Sequence, residues 1–285
     1  MFQINWKLKA LLYKVFEYFK LKKTIYFIQK YITKRSKIYI DEVGKHWLQH
    51  AQIIKKYNCK NVLEIGAGKS LEQNIYLAYH FDKKIHQTAI DINPMLDFEL
   101  FNNASKEISI LLRKKFKGKI TSIEDLQIKY NIFYRSPYSL EDLIKSRTKF
   151  DICISTTTLE HFSLEDLNNF LNKINYVLNN KKLVSSIIDY SDHYAHTDKK
   201  ITYLNFLKYN SDDWKKYNNT YLFQNRLRHQ DYRKIFKNND FKIIEENEGE
   251  FLPKINRISS EFDKEDRETY LSWGYYLVSR IVNPK

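Results

Sequence analysis

Seven short apolar runs rich in β-branched residues recur along this 285-residue chain, and helical stretches separate most of them. The runs are NVLEI (61–65), IHQTAI (85–90), NIFYRS (131–136), FDICIS (150–155), KLVSSII (182–188), FKIIEE (241–246) and GYYLVSRIV (274–282). Helical patterns fall at 41–57, 71–81, 94–116, 163–179 and 229–239, and Ser163 with Asp166 makes a capping-box spacing before the fourth. Parallel strands need crossovers of a dozen or more residues, which helices supply. The alternation therefore predicts an α/β fold, a mostly parallel sheet with helices on both faces. No repeat and no Pro/Gly-rich linker divides the chain, and 191–228 is its one large insertion.

Residues 1–40 stand apart from the domain expected over 41–285. They hold nine Lys, one Arg and one Glu, a net +9, and the other 245 residues share only +5. Leu8, Leu11, Leu12, Val15 and Phe19 recur at helical spacing, with Lys9 and Lys20 among the flanking polar positions, and Ile25, Ile28 and Ile32 continue the pattern. This basic amphipathic arm fits a helical lid or dimer face packed on the domain. The sharper reading is a surface resting on anionic lipid. Abundant Lys, Asn, Ile and Tyr also match AT-rich coding, so part of the charge is compositional. At 43% hydrophobic residues the chain is no disordered polymer. It has no run of 18 apolar residues that would span a membrane, and no small-residue cleavage site of a signal peptide. Cys59 and Cys153 read as reduced core thiols. The expected location is the cytoplasm, with peripheral contact at the inner face of the membrane through the arm.

NVLEIGAGKS (61–70) is the most informative stretch. An apolar strand ends in Glu64, passes through Gly66-Ala67-Gly68 and enters a helix, using two of only six glycines. Glycines at such a turn let a ligand approach the backbone, and a helix N-terminus favours electron-rich groups. Asp91, in AIDINP, closes the second strand, where a carboxylate can accept both hydroxyls of a ribose. A nicotinamide-binding turn would want GxGxxG, but position 71 is Leu. FDICISTTTLEHF (150–162) then leads a fourth strand into a short loop and helix. Together these segments resemble the class I S-adenosylmethionine-dependent methyltransferases, over roughly 41–190 and more loosely in the C-terminal strand pair. The resemblance implies a Rossmann-like seven-stranded sheet with its last strand antiparallel, and S-adenosyl-L-methionine as cofactor. Glu64 would help to hold the amino-acid end, the Gly66–Gly68 turn would pass beneath it, and Asp91 would bind the ribose. The loop near Ser136 to Tyr138 would flank the adenine, and Thr156 would join the cofactor side.

The fourth strand bears on the acceptor. Methyltransferases of base amino groups carry an Asn/Asp-Pro-Pro-aromatic loop there. This chain has Ser155-Thr156-Thr157-Thr158-Leu159-Glu160-His161, which resembles the small-molecule and glycan branch. His161 is either a packing residue or an acceptor contact. DYSDHYAHTDKK (189–200) then places three aspartates and two histidines within ten residues, at the strand edge where open α/β sheets bind ligands. His193 and His196, with Asp189 or Asp192, could ligate a metal. No metal is expected, because there is neither a Cys pair nor HExxH. The expected role is proton transfer, with Asp192–His193 as the acid–base pair and His196 orienting it, because an alcohol needs a base. A solvated loop is the bland alternative. Arg226 and Arg228, after an insertion bearing Trp214, Tyr217, Tyr221 and Phe223, would suit the anionic or sugar part of an acceptor, or form structural ion pairs. The expected activity is methylation of a hydroxyl on a sugar, glycan precursor or other small molecule. An RNA methyltransferase using the arm is disfavoured by the missing Pro-Pro loop and the ordinary charge of 41–285, so nucleic acid is not the expected partner. A non-catalytic cofactor-binding module is disfavoured by the polar residues at the mouth.

Overall fold

The computed structural model describes residues 3–28 and 40–281. In chain order the elements are α1 (Trp6–Tyr18), α2 (Lys22–Phe27), α3 (Ile40–Lys56), β1 (Asn61–Ile65), α4 (Glu72–Phe81), β2 (His86–Ile90) and α5 (Phe98–Leu111). A short α6 (Ile123–Asp125) runs through a π-helical turn into β3 (Ile132–Arg135), followed by α7 (Leu140–Ser146), β4 (Phe150–Thr156) and α8 (Leu164–Ile174). Then come β5 (Leu178–Asp189), α9 (Ser211–Lys215), α10 (His229–Asn238), β6 (Phe241–Glu248) and β7 (Trp273–Arg280). The strands form one sheet in the order β3-β2-β1-β4-β5-β7-β6. All neighbours run parallel except β7, which is antiparallel to both β5 and β6. This is the Rossmann-like sheet implied by the resemblance, antiparallel last strand included.

The central strands β1 and β4 are apolar on both sides because both faces are covered. Val62 packs with Trp47, Ile75 and Phe101 from α3, α4 and α5, whereas its neighbour Leu63 packs with Leu143, Leu171 and Phe236 from α7, α8 and α10. Each such side chain contributes about 1.5–3 kcal/mol on burial. Cys59 and Cys153 are buried and not joined by a disulfide. From β1 the chain builds outward through β2 and β3, then returns to add β4 on β1's other side. That reversal opens a crevice at the carboxyl ends of β1 and β4.

Several element ends differ from the sequence pattern for local reasons. α5 starts at 98 because the Asp97 side chain caps it, accepting from Glu99 N and Leu100 N, and it ends just before Arg113 turns to φ 51°. α8 stops at Ile174 because Leu178 already pairs with Phe150 of β4. Its Ser163 cap accepts from Asp166 N, but the serine hydroxyl then donates to the Asp166 carboxylate instead of completing a capping box. A full capping box of Ser139 and Asp142 starts α7, which the periodicity did not mark.

The arm and the insertion build a third apolar cluster together. Trp6 lies with its ring centroid 4.6–6.2 Å from those of Tyr194, Tyr209, Trp214 and Tyr217. Ile4 N donates to Thr197 O at 3.2 Å and Trp6 N to Asp198 Oδ2 at 2.9 Å. The inward face of α1 is therefore Trp6, Lys9 and Ala10. Lys9, expected at the polar flank, is buried and donates to Thr197 Oγ1 at 3.3 Å. Leu8, Leu11, Leu12, Val15 and Phe19, the stripe that defined the helix, stand exposed on the outside. Ile25 of α2 is buried, and the Tyr26 hydroxyl donates to the Asp97 carboxylate, with Lys69 4.2 Å over its ring. Ile32, with the rest of 29–39, lies outside the described residues. No described helix is long and apolar enough to cross a membrane.

Candidate functional site

Strand register lines up one side of the crevice. Ile65 pairs with Ile90 and Ile90 with Arg135, so Glu64, the 66–68 turn, Asp91 and Ser136 sit at adjacent strand ends. The two glycines serve different ends. Both have positive φ, 69° at Gly66 and 74° at Gly68. A Cβ on Gly66 would lie 2.4 Å from Thr158 Cγ2, so the neighbouring β4 loop already fills that space. A Cβ on Gly68 would meet nothing within 4 Å, so this glycine faces open room. Glu64 is buried, and its Oε2 has no hydrogen-bond partner. Burial pushes its carboxyl up to about 8, against the opposing side-chain bonds from Gln73 and Asn74. Asp91 is buried, its Oδ1 accepts from Asn93 N at 3.0 Å, and its carbonyl accepts from Tyr138 N at 2.9 Å. Ser136 Oγ is a buried atom without a partner, just before a cis bond to Pro137.

Thr156 does not join this group through its side chain. Its hydroxyl is held by the Gln73 side chain and by His50 Nε2 at 3.0 Å, which commits it inside the fold. His50 also meets Ser185 Oγ at 2.8 Å through Nδ1. Burial, helped by His46, pushes its imidazole down to about 3.

Across the crevice, the ends of β4 and β5 bring five titratable side chains together. Glu160 and His161 lie in the 3-10 turn Leu159–His161, and Asp189 ends β5. His193 Nε2 lies 3.1 Å from Asp189 Oδ2, and His196 Nε2 lies 4.0 Å from the same oxygen. Ring centroids are 5.0 Å apart for His161 and His193, and 5.6 Å for His193 and His196. His161 Nδ1 donates to the Phe223 carbonyl at 2.6 Å, a contact that requires the proton on Nδ1. Burial, then the neighbouring His193, lowers His161. Burial takes His196 down to about 4 although Asp189 opposes it. Burial raises Asp189, but bonds from His193 and Ser191 outweigh it and hold the carboxyl below its usual range. Glu160 is buried, neither of its carboxylate oxygens has a hydrogen-bond partner, and burial followed by the Asp189 charge drives it well above its ordinary value.

The cluster corrects three sequence expectations. Asp192 is not the partner of His193. It is fully buried, accepts from Tyr194 N at 2.8 Å and Asn205 Nδ2 at 3.1 Å, and shapes the loop, with burial taking its carboxyl up to about 6. Asp189, at the end of β5, is the carboxylate that His193 meets, at 3.1 Å. Arg228 is 1% exposed and donates to the carbonyls of Tyr190 at 2.7 Å and Leu271 at 2.6 Å, so it ties α10 to the sheet and is no acceptor contact. Arg226 donates to the Phe206 carbonyl at 3.1 Å and pairs with Glu261 at 3.2 Å, which pins the insertion. Trp214 and Tyr217 are occupied with Trp6. His161, His193 and His196 do come together. Glu160 was passed over although it adjoins His161, and that adjacency at a strand end was the available signal.

The sequence matches no family model and no curated protein. Among solved structures, a candidate O-methyltransferase of Nostoc punctiforme PCC 73102 is 13% identical with TM-score 0.45, over 84% of this chain and 56% of that one. TehB from Haemophilus influenzae is 13% identical with TM-score 0.44, over 83% and 62%. The 1,6-didemethyltoxoflavin-N1-methyltransferase of Burkholderia thailandensis, solved with its namesake and S-adenosylhomocysteine, is 11% identical with TM-score 0.49, over 89% and 85%. The chain thus spans less than two thirds of the first two proteins.

Proposed function

We propose that this chain is a class I S-adenosylmethionine-dependent methyltransferase that methylates a hydroxyl of a sugar, glycan precursor or other small molecule at the histidine cluster. The observation that carries this is the crevice at the reversal between β1 and β4. There a buried carboxylate with an orphaned oxygen, an open glycine turn, Asp91 and an orphaned serine hydroxyl face one another's strand ends. These donors fit the proposed cofactor. Glu64 suits an ammonium group, Asp91 a ribose diol, Gly68 a close backbone approach, and Ser136 the base side. S-adenosylmethionine, when bound, supplies a methyl on a positively charged sulfur, which keeps the electrons of the broken C–S bond as the acceptor oxygen takes the carbon. The chain's own task is to align the acceptor and to receive its proton. An imidazole of the cluster takes that proton, since burial keeps His161 and His196 in the neutral form. The exposed apolar face of α1, with Lys7 and Lys20 beside it, supports peripheral contact with an anionic inner membrane face.

Isothermal titration of the full chain with S-adenosylhomocysteine should show one site, and Asp91→Ala should weaken it by about 1–3 kcal/mol. Folded protein that binds neither this product nor the methyl donor would remove the proposal.

A further inference from the structure

We propose that Glu160, His161 and His193 form a binding site for a divalent transition-metal ion, with Asp189 as the group that orients His193. The three side chains can each offer a donor atom with all three atoms within 4.8 Å of one another. Three donors about 2.1 Å from one ion in a tetrahedral site stand about 3.4 Å apart, so the set closes with a movement of up to about 0.8 Å by each side chain.

Two independent features point to a cation. The first is Glu160 itself. It is 1% exposed, and both carboxylate oxygens lack a hydrogen-bond partner although one of them lies within 4.8 Å of a ring nitrogen of each imidazole. A desolvated carboxylate without a partner is a costly arrangement, and a bound cation is a direct remedy. The second is the way the imidazoles are held. His161 gives its Nδ1–H to the Phe223 carbonyl, and His193 meets the Asp189 carboxylate through Nε2. Each ring thereby has one nitrogen fixed by an oxygen and the other left as a lone-pair donor, which is how metal-bound histidines are supported.

Two nitrogens and one carboxylate oxygen suit ions of the zinc, iron(II) or manganese class, and three protein ligands leave positions open for a further oxygen ligand. That such an oxygen belongs to the acceptor rests on the methyltransferase proposal. An ion there would favour loss of the acceptor proton, and His196, outside the trio, stands at the exposed edge to receive it. This departs from the expectation that the cluster works without a metal.

The test uses the full chain, dialysed against a chelator and titrated with Co²⁺, whose visible absorption reports nitrogen and oxygen ligation, and then with Zn²⁺ in competition. About one equivalent should bind. Glu160→Gln and His193→Ala should each weaken binding at least tenfold, and Asp189→Asn by about 10–100-fold, the range for groups that orient a ligand. His86→Ala, at an exposed histidine on β2, should change nothing. S-adenosylhomocysteine titration of each variant supplies the folding check. Absence of stoichiometric Co²⁺ binding, or loss in His196→Ala with retention in Glu160→Gln, would overturn the site. Co²⁺ binding without any S-adenosylhomocysteine binding would leave the site standing and remove the methyltransferase proposal alone.

Discussion

Below pH 8 the free Glu64 carboxyl holds a proton, because burial outweighs its bonds to Gln73 and Asn74. A ligand ammonium needs the ionised form, so binding must expel that proton. The sign follows. Affinity for S-adenosylhomocysteine should fall about tenfold per pH unit as pH drops below about 8, and stop rising above it, where the ligand ammonium begins to lose its own proton. Calorimetry in buffers of different ionisation enthalpy should count about one proton released per ligand at pH 7. Glu64→Gln should bind weakly and flatten the profile, and a profile equally steep in that variant would reject the assignment. The positions of Glu64 and Asp91 at adjacent strand ends were legible because each lies at the end of a short apolar strand, next to glycines in one case and a turn in the other. Choosing between Asp189 and Asp192 was not, because the choice depends on where β5 stops and how the loop turns back. Nor could a sequence pattern show that Arg228 would bond to carbonyls at positions 190 and 271.

At the scale of elements, α1 is apolar on two sides, and the side marked by the periodicity is not the one that packs on the insertion. Leu8, Leu11, Leu12, Val15 and Phe19 repeat cleanly but face outward, whereas docking rests on one tryptophan and its aromatic neighbours. Helical spacing reveals a stripe and says nothing about which surface it meets. Deleting the arm would also strip Trp6 from the insertion's core, so surface changes make the cleaner test of membrane contact. Full-length protein should sediment with vesicles of anionic lipid at low salt. Leu11→Ser with Phe19→Ser should reduce that binding several-fold, at the usual scale of about 0.8 kcal/mol per buried methylene, and leave cofactor affinity unchanged. Equal sedimentation of the double variant would assign the stripe another role. The strands were more legible than the arm. Their apolar runs match β1–β7 to within a few residues, and burial on both faces leaves the clearest apolar signature in β1 and β4.

For the molecule as a whole, His50 joins α3 to β4 and β5 through Thr156 and Ser185. Its imidazole is pushed from 6.5 to about 3, so the unfolded chain takes up a proton that the folded chain refuses. Stability from this group is complete above about pH 6.5 and is lost as pH falls toward 3, at up to about 1.4 kcal/mol per unit. Glu64 and Asp192, both raised, act in the opposite sense, so the contribution appears as a difference. Urea denaturation at pH 7 and pH 5 should show the wild type losing more stability than His50→Gln between the two, and equal losses would reject this account. Sheet order and the crevice followed from the alternation of elements, whereas the union of arm and insertion joins segments about two hundred residues apart and left no local trace. That union has a consequence in time. Trp6 is synthesised roughly two hundred residues ahead of Trp214 and Tyr217, which at ~5–20 residues per second is about 10–40 s. Throughout that interval a basic, aromatic segment waits beside the ribosome without its docking surface, so α1 is made long before it can be placed.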